Sequence, residues 1–175
     1  RAEDDKPGFI SGIYNGFTTG SPITILFKNN NIRSSDYNFS EVPRPGHADF
    51  VASKKFIGSN DPRGGGHFSG RLTLGMVAAG VLAKKILHGV NIKATLTKAG
   101  GKTNIDKAID EALHNGDSIG GLVECRVNDL PVGLGEPFFD SIESLISHAV
   151  FAIPAIKGIE FGSGFQAAGM KGSQH

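Results

Sequence analysis

Hydrophobic and polar residues alternate in three stretches of the chain, and this alternation is typical of β-strands with one face in water. The first stretch covers 7–28, where two runs flank a turn-rich segment at 15–22 and predict an antiparallel hairpin. The other two stretches are 92–97 and 122–127. On the last of these strands we expect Cys125 to be a small core residue.

Three other segments carry helical patterns. Residues 72–87 are apolar or small on nearly all sides, which predicts a buried helix. Apolar residues recur at helical spacing from Ile105 onward, and again after Asp140, so two amphipathic helices are expected. Asp140 with Glu143 resembles a capping box at the start of the second one, and Pro154 ends it.

This order of elements predicts an α+β fold in which helices pack between or against antiparallel sheets. The polar segment 29–46 and the run 44–50 are predicted to be loop. A chain of 175 residues fits a single domain over 1–175 that can bury a core. No apolar run approaches the roughly 20 residues of a membrane span, so we expect none.

Charge and composition narrow the function classes. The 18 basic and 17 acidic residues leave a formal charge of +1, too weak for the basic surface of a nucleic-acid binder, so an anion would have to be bound locally. The single cysteine can form neither an internal disulfide nor a zinc cluster, which favours a reducing, cytoplasmic location. The 25 glycines are roughly twice the average usage, but they are scattered among apolar segments.

The densest candidate for chemistry is the segment 63–71, directly before the apolar helix. Its glycines let the backbone approach a ligand, the first amides of the helix lack acceptors, and Arg63, Ser69 and Arg71 add donors. An anion would be bound well there. The alternative is a flexible connection in which Ser69 caps the helix and the arginines are solvated.

A second candidate is the segment 44–49, which places His47 in a Pro-Gly turn beside Arg44. A histidine there could transfer protons near neutral pH while the arginine holds an acidic substrate. The alternative is an ordinary surface histidine in a loop. No histidine pair has the spacing of metal ligands, so no metal site is predicted.

Five sequence strings, taken in order, resemble the chorismate synthase family, and the resemblance extends over essentially the whole chain. The strings are RPGHAD at 44–49, RGGGHFSGRLT at 63–73, GDSIGG at 116–121, GLGEPFFD at 133–140 and IPAIKGIEFGSGF at 153–165.

The resemblance implies a flavin-dependent lyase. Its substrate would be 5-enolpyruvylshikimate 3-phosphate, which loses phosphate and a ring proton in a 1,4-elimination that gives chorismate. Reduced FMN would be required, although there is no net redox change. The family fold is a β-α-β sandwich with helices between antiparallel sheets, usually in a homotetramer, so we expect self-association and no nucleic-acid or membrane partner.

The resemblance also assigns roles to individual residues. His47 matches the histidine credited with proton exchange at the flavin, and Arg44 and Arg71 match arginines that bind the anionic groups of the substrate. The positions that match the flavin-contact stretches are His67, Phe68, Ser69, Pro154 and Ala155.

The chain also departs from the family pattern. Many members have Arg-Ser in place of His67–Phe68 and Glu in place of Leu72, and the stretch 96–105 is short. Members extend further at both ends, and this sequence lacks their N-terminal G-x-S-H-G motif. We therefore expect a fragment that is inactive by itself. The alternatives are a non-catalytic fold-core or assembly piece of that family, and a generic phosphate-binding domain.

Overall fold

A computed structural model of the chain describes residues 4–30, 39 and 41–174. The chain divides into two compact units, Arg1–Leu82 and Ala83–His175, and each is described by itself. The expectation of a single domain over 1–175 stays a prediction.

The first unit begins with the predicted hairpin, formed by the strands β1 (Pro7–Ser11), β2 (Ile13–Tyr14), β3 (Phe17–Thr18) and β4 (Thr24–Phe27). β1 pairs with β4 and β2 pairs with β3, both antiparallel. The tip is the dipeptide Asn15–Gly16, whose φ angles of 49° and 80° suit the two-residue turns that match the twist of a hairpin. The hairpin prediction is confirmed, but the turn is shorter than the predicted 15–22, because β3 forms within that segment.

The loop predicted after the hairpin ends in a helix. Residues 31–38 and 40 of the expected loop lie outside the described residues. At its end, the run 44–50 forms a turn and then enters helix α1 (Asp49–Lys55), so the loop prediction is wrong for the last two residues. Asp49 in the first turn and Lys54 and Lys55 in the last suit the helix dipole, and Ala52 is buried.

A glycine-rich connection then leads into helix α2 (Thr73–Ile86). It consists of two short 3₁₀ segments, Arg63–Phe68 and Gly70–Leu72. The Ser69 side chain caps the second segment by accepting a hydrogen bond from the Arg71 N–H at 3.3 Å. The sequence alternative that Ser69 is a cap is therefore correct for this turn.

The predicted helix forms at α2, but the prediction that it is buried is wrong for this chain. None of its residues is buried, and Val77 on one side is 64% exposed. A helix that is apolar on every side is normally covered by other parts of a protein. The described residues of this chain do not supply that cover.

The second unit contains the antiparallel pair β5 (Asn91–Ala99) and β6 (Gly121–Asn128) and helix α3 (Ile105–His114), which lies against β5. Asn104 caps α3 by accepting a hydrogen bond from the Lys107 N–H at 3.2 Å. The buried side chains among the described residues of this unit are the small alanines Ala99, Ala108 and Ala112. Both strands and the amphipathic helix were predicted from the sequence and are confirmed.

The strand register brings the apolar residues of β5 and β6 onto one face. Cross-strand partners lie on the same face of a sheet, and the apolar pairs are Ile92 with Val127, Ala94 with Cys125 and Leu96 with Val123. Every residue of β6 is exposed in this chain. The prediction that Cys125 is a core residue is therefore wrong here, because its face of the sheet has no cover among the described residues.

Helix α4 (Ile142–Val150) is the second predicted amphipathic helix. Its cap is Ser141, whose hydroxyl accepts a hydrogen bond from the Ser144 N–H at 3.3 Å. Asp140, the expected cap, belongs instead to the 3₁₀ turn Phe138–Asp140. The tail holds two more 3₁₀ segments, Gly164–Gly169 and Gly172–Gln174.

Helices and two-stranded antiparallel sheets thus alternate along the chain, and the described residues form an α+β structure. Among them, no helix has the length and apolar character needed to cross a membrane.

Candidate active site

A polar cluster in the first unit lies in the RPGHAD segment. Gly46 takes a φ of 70°, which tightens the turn, and the His47 N–H donates back to the Arg44 carbonyl at 3.3 Å. Asp49 follows as the first residue of α1. The turn and the helix start together bring Arg44, His47 and Asp49 into mutual contact.

Asp49 is the acceptor that holds this cluster together. Arg44 donates to it through Nε at 2.8 Å, Nη2 at 2.9 Å and the backbone N–H at 3.1 Å. The two side-chain bonds reach different carboxylate oxygens, the bidentate geometry that an arginine fork favours. The Asp49 side chain is only 13% exposed, so it is largely removed from water.

These contacts determine the charge of Asp49. The side-chain hydrogen bond from Arg44 holds the pKa of Asp49 well below its usual range, against the opposing effect of desolvation. The backbone hydrogen bond from Arg44 and the nearby His47 act in the same direction as the side-chain bond. Asp49 is therefore an anion at neutral pH.

His47 completes the cluster. Its Nδ1 lies 2.7 Å from Asp49 Oδ1, and Nη2 of Arg44 lies 3.1 Å from Nδ1 and 3.2 Å from Nε2. The imidazole side chain is 27% exposed, so it is partly open to solvent. A histidine held against a carboxylate and still partly accessible is suited to general acid–base chemistry.

A cleft of about 210 Å³ opens beside this cluster. Arg44 and Asp49 line one part of it, and the glycine-rich 3₁₀ segment lines another through His67 and Phe68. Phe39 is also part of the wall, and the Arg44 guanidinium lies over its ring, 4.0 Å from the centroid. Both sequence motifs, 44–49 and 63–71, thus contribute to one cleft.

An aromatic cluster forms the edge of this cleft. The His67 ring meets Phe56 edge-on at 5.7 Å and Phe68 edge-on at 5.1 Å between centroids, and Phe56 lies 6.4 Å from Phe68. These are preferred distances for aromatic pairs. Phe68 remains 37% exposed, so the cluster offers an open aromatic surface to a planar ligand.

The other two predicted arginines contact carboxylates of their own. Arg63 forms a bidentate pair with Asp61, which lines the cleft, and the side-chain hydrogen bond from Arg63 lowers the pKa of Asp61 to about 2. Arg71 donates to Asp5 at 2.7 Å and to the Lys28 carbonyl at 3.3 Å. His47, Ser69 and Arg71 are not among the residues that line the described cleft, although His47 contacts Arg44 and Asp49, which do.

Pro154 and Ala155 belong to the second unit, after α4. Ala155 has a φ of 69°, a left-handed conformation that costs an L-residue roughly 1–2 kcal/mol. Strained backbone of this kind is often found at functional sites. Their predicted contact with a cofactor stays a prediction.

Sequence reasoning missed several members of the site. Asp49 stood inside the RPGHAD string, five residues after Arg44, and that spacing was a usable signal. Phe39, Phe56 and Asp61 had no motif of their own, and they join the site only through folding. Across 4–30, 39 and 41–174, no group of three or more His, Cys, Asp or Glu side chains is placed to hold a metal ion.

The fold and the site together define an α+β protein with an arginine–carboxylate–histidine cluster beside an aromatic-edged cleft. A family model described as chorismate synthase matches residues 1–175. The chorismate synthase of Chitinophaga pinensis is 62% identical over 177 residues, covering 100% of this chain and 53% of that protein. The chain belongs to the chorismate synthase family.

More distant relatives agree. The chorismate synthase of Korarchaeum cryptofilum is 46% identical over 205 residues, covering 100% of this chain and 57% of that protein. That of Pyrococcus abyssi is 43% identical over 201 residues, covering 99% and 56%. The chain spans about half the length of the curated relatives it matches.

Proposed function

We propose that the full-length protein is a lyase that makes chorismate from 5-enolpyruvylshikimate 3-phosphate by 1,4-elimination of phosphate and a ring proton. Membership of the family supports the reaction. The observation that carries the proposal is the contact between His47 and Asp49, with Arg44 bound to the same carboxylate and lining the cleft. It provides a proton-transfer group and a cation side by side.

In this proposal His47 is the acid–base residue that exchanges a proton at the bound flavin. Its Nδ1 is engaged by Asp49, so Nε2 is the ring nitrogen that would exchange the proton. A positioned imidazole typically contributes 10²–10⁴-fold to such a step.

The two predicted substrate arginines have different roles in the proposal. Arg44 is held by three hydrogen bonds to a mostly buried Asp49, so it serves mainly as a fixed positive centre. The Arg71–Asp5 pair is more open, with Asp5 41% exposed, and such pairs are worth only about 0–1 kcal/mol. An anionic group of the substrate can therefore replace Asp5 at little cost.

The proposed cofactor is reduced FMN, and the described residues fit part of it. The aromatic cluster of Phe56, His67 and Phe68 offers a surface for a planar ring system. The cleft is smaller than the 300–1,000 Å³ of common ligand pockets, so it would hold only part of the flavin. Ser69, Pro154 and Ala155 are proposed as further contacts.

When bound, reduced flavin would supply electron density transiently to the allylic system as phosphate leaves, with no net redox change. The protein's own residues would exclude water around the ring, hold the substrate's anionic groups and move the proton. The guanidinium groups would stabilise the desolvated negative charge of the departing phosphate.

Several further features are proposed for the full-length protein. The family sandwich, with helices between antiparallel sheets, is supported by the uncovered apolar faces of α2 and of the β5–β6 sheet. The same faces support a homotetramer. A cytoplasmic location is supported by the single cysteine. We also propose that the 175-residue chain is inactive by itself, because it lacks that cover.

The test is chorismate formation by the full-length protein with reduced FMN under anaerobic conditions. His47→Ala should reduce the rate by 10²–10⁴-fold. Arg71→Ala should cost roughly 2–4 kcal/mol of transition-state stabilisation. His114→Ala, at the exposed end of α3, is the matched control and should leave the rate unchanged. Unchanged rates for both site variants would remove these roles.

A further inference from the structure

Asp49 connects two residues that the proposed function uses separately. Its Oδ1 lies 2.7 Å from Nδ1 of His47 and also accepts from Nη2 of Arg44 at 2.9 Å, while its Oδ2 accepts from Nε of Arg44 at 2.8 Å. The side chain is 13% exposed, and it starts helix α1. Helix and fork together restrict how this carboxylate can move.

An ionised carboxylate only accepts hydrogen bonds. At 2.7 Å, Nδ1 of His47 must therefore carry the proton that it shares with Asp49. In the neutral imidazole the other nitrogen, Nε2, then carries the lone pair. The position of Asp49 thus selects one of the two tautomers.

The contact with Arg44 does not change this choice. Its Nη2 is nearly equidistant from the two ring nitrogens, at 3.1 and 3.2 Å. A donor aligned with the lone pair of Nε2 would be far closer to Nε2 than to Nδ1. Arg44 therefore lies beside the ring, and this contact leaves the lone pair of Nε2 unoccupied.

We propose that Asp49 is a positioning residue for His47. Asp49 fixes the neutral imidazole with its proton on Nδ1 and so makes Nε2 the proton-transfer atom. In this role Asp49 acts through His47. The inference rests on the proposed function for its effect on rate. The tautomer itself is independent of any activity.

The experiment uses the full-length protein labelled with ¹⁵N-histidine. Two-bond ¹H–¹⁵N NMR spectra, assigned with His47→Ala, report which nitrogen of His47 carries the proton at a pH where the ring is neutral. The wild type should show the proton on Nδ1. Asp49→Asn should shift His47 toward the Nε2-protonated form, since an amide can donate to Nδ1.

Activity and rescue give the second readout. Asp49→Asn should lower chorismate formation at least tenfold, as with other carboxylates that orient a proton-transferring histidine. Asp49→Glu keeps an acceptor and should restore the tautomer and part of the rate. Arg44→Gln removes the fork but should keep the tautomer. Glu124→Gln, which breaks the exposed Glu124–Arg126 pair on β6, should change neither readout.

Each outcome supports or overturns the positioning role of Asp49. A wild-type His47 protonated on Nε2, or an unchanged tautomer in folded Asp49→Asn, overturns the inference. If Asp49→Asn does not fold, the wild-type spectrum and Asp49→Glu decide in its place. If the tautomer shifts as expected but His47→Ala stays fully active, the positioning contact stands and the proposed role of His47 fails.

Discussion

Three arginines around the candidate site each contact a carboxylate. How much each pair contributes to stability depends on how far it is buried. The pair of Arg63 with Asp61 is widely exposed, and so contributes little to stability. Arg44 and Asp49 are less exposed, and their two parallel side-chain hydrogen bonds make a strong pair in a partly desolvated site. Breaking this last pair would leave a half-buried charge without its partner, which is the costly situation.

The carboxylate of Asp49 should make stability depend on acid pH. Its pKa is lower in the folded protein than the unfolded value of about 3.9. The stabilisation is therefore complete above about pH 4 and is lost as the pH falls toward the folded-state value. In melting curves of the full-length protein, the gap between wild type and Asp49→Asn should shrink as the pH falls below 4.

Asp61→Asn is the control for this measurement. The pKa of Asp61 is also lowered, to about 2, so the sign of its effect is the same. Its side chain is 57% exposed, and water screens its pair, so the change should be smaller. A gap for Asp49→Asn that stays constant down to pH 3 would contradict the assignment.

At the scale of secondary-structure elements, the sequence predicted the features that depend on residues close together in the chain. The hairpin over 7–28 and the helical spacing of α3 and α4 could be predicted because each depends on residues close in sequence. Helix α1 was missed because seven residues carry too little periodicity. The cap of α4 moved from Asp140 to Ser141, which shows how local rules err at boundaries.

The site was predictable only in part for a related reason. Arg44 and His47 lie three residues apart, and their motif placed them together. The pairing of Arg71 with Asp5 joins residues 66 positions apart, and the aromatic edge requires Phe56 to approach His67. Such contacts form only when the chain folds, and no periodicity in the sequence predicts them.

The hairpin provides a test at this scale. Gly12 and Gly16 have φ angles of 81° and 80°, so alanine is strained at both positions by a similar amount. A Cβ on Gly12 would also lie 2.7 Å from the Ile23 Cα and from the Pro22 carbonyl oxygen, whereas nothing lies within 4 Å at Gly16. Gly12→Ala should therefore destabilise the hairpin by about 1–3 kcal/mol more than Gly16→Ala.

Amide hydrogen exchange can measure this difference in the hairpin itself. The Thr19 N–H donates to the Gly12 carbonyl at 3.0 Å, so its protection reports on the closed hairpin. Gly12→Ala should accelerate exchange at Thr19 much more than Gly16→Ala. Equal acceleration by the two variants would show that the close approach at Gly12 is relieved without cost.

For the whole molecule, the informative feature is how much apolar surface stays uncovered. Helix α2 has no buried residue, and every residue of β6 is exposed in the described chain. Contiguous apolar patches of this kind mark interaction surfaces. Since the relatives are nearly twice as long, we expect the full-length protein to cover both faces.

Cys125 lies on that sheet face and can report on its cover. In the described chain it is exposed, beside Ala94 on the neighbouring strand. If the full-length protein buries this face, the thiol should react with a maleimide at least tenfold more slowly in the native protein than in denaturant, as followed by mass spectrometry of its peptide. Cys125→Ala combined with Glu124→Cys places a thiol on the opposite, polar face and should react rapidly in the native protein. Fast native labelling of Cys125 would mean that the face stays open, and the sandwich proposed for the longer chain would lose its main support.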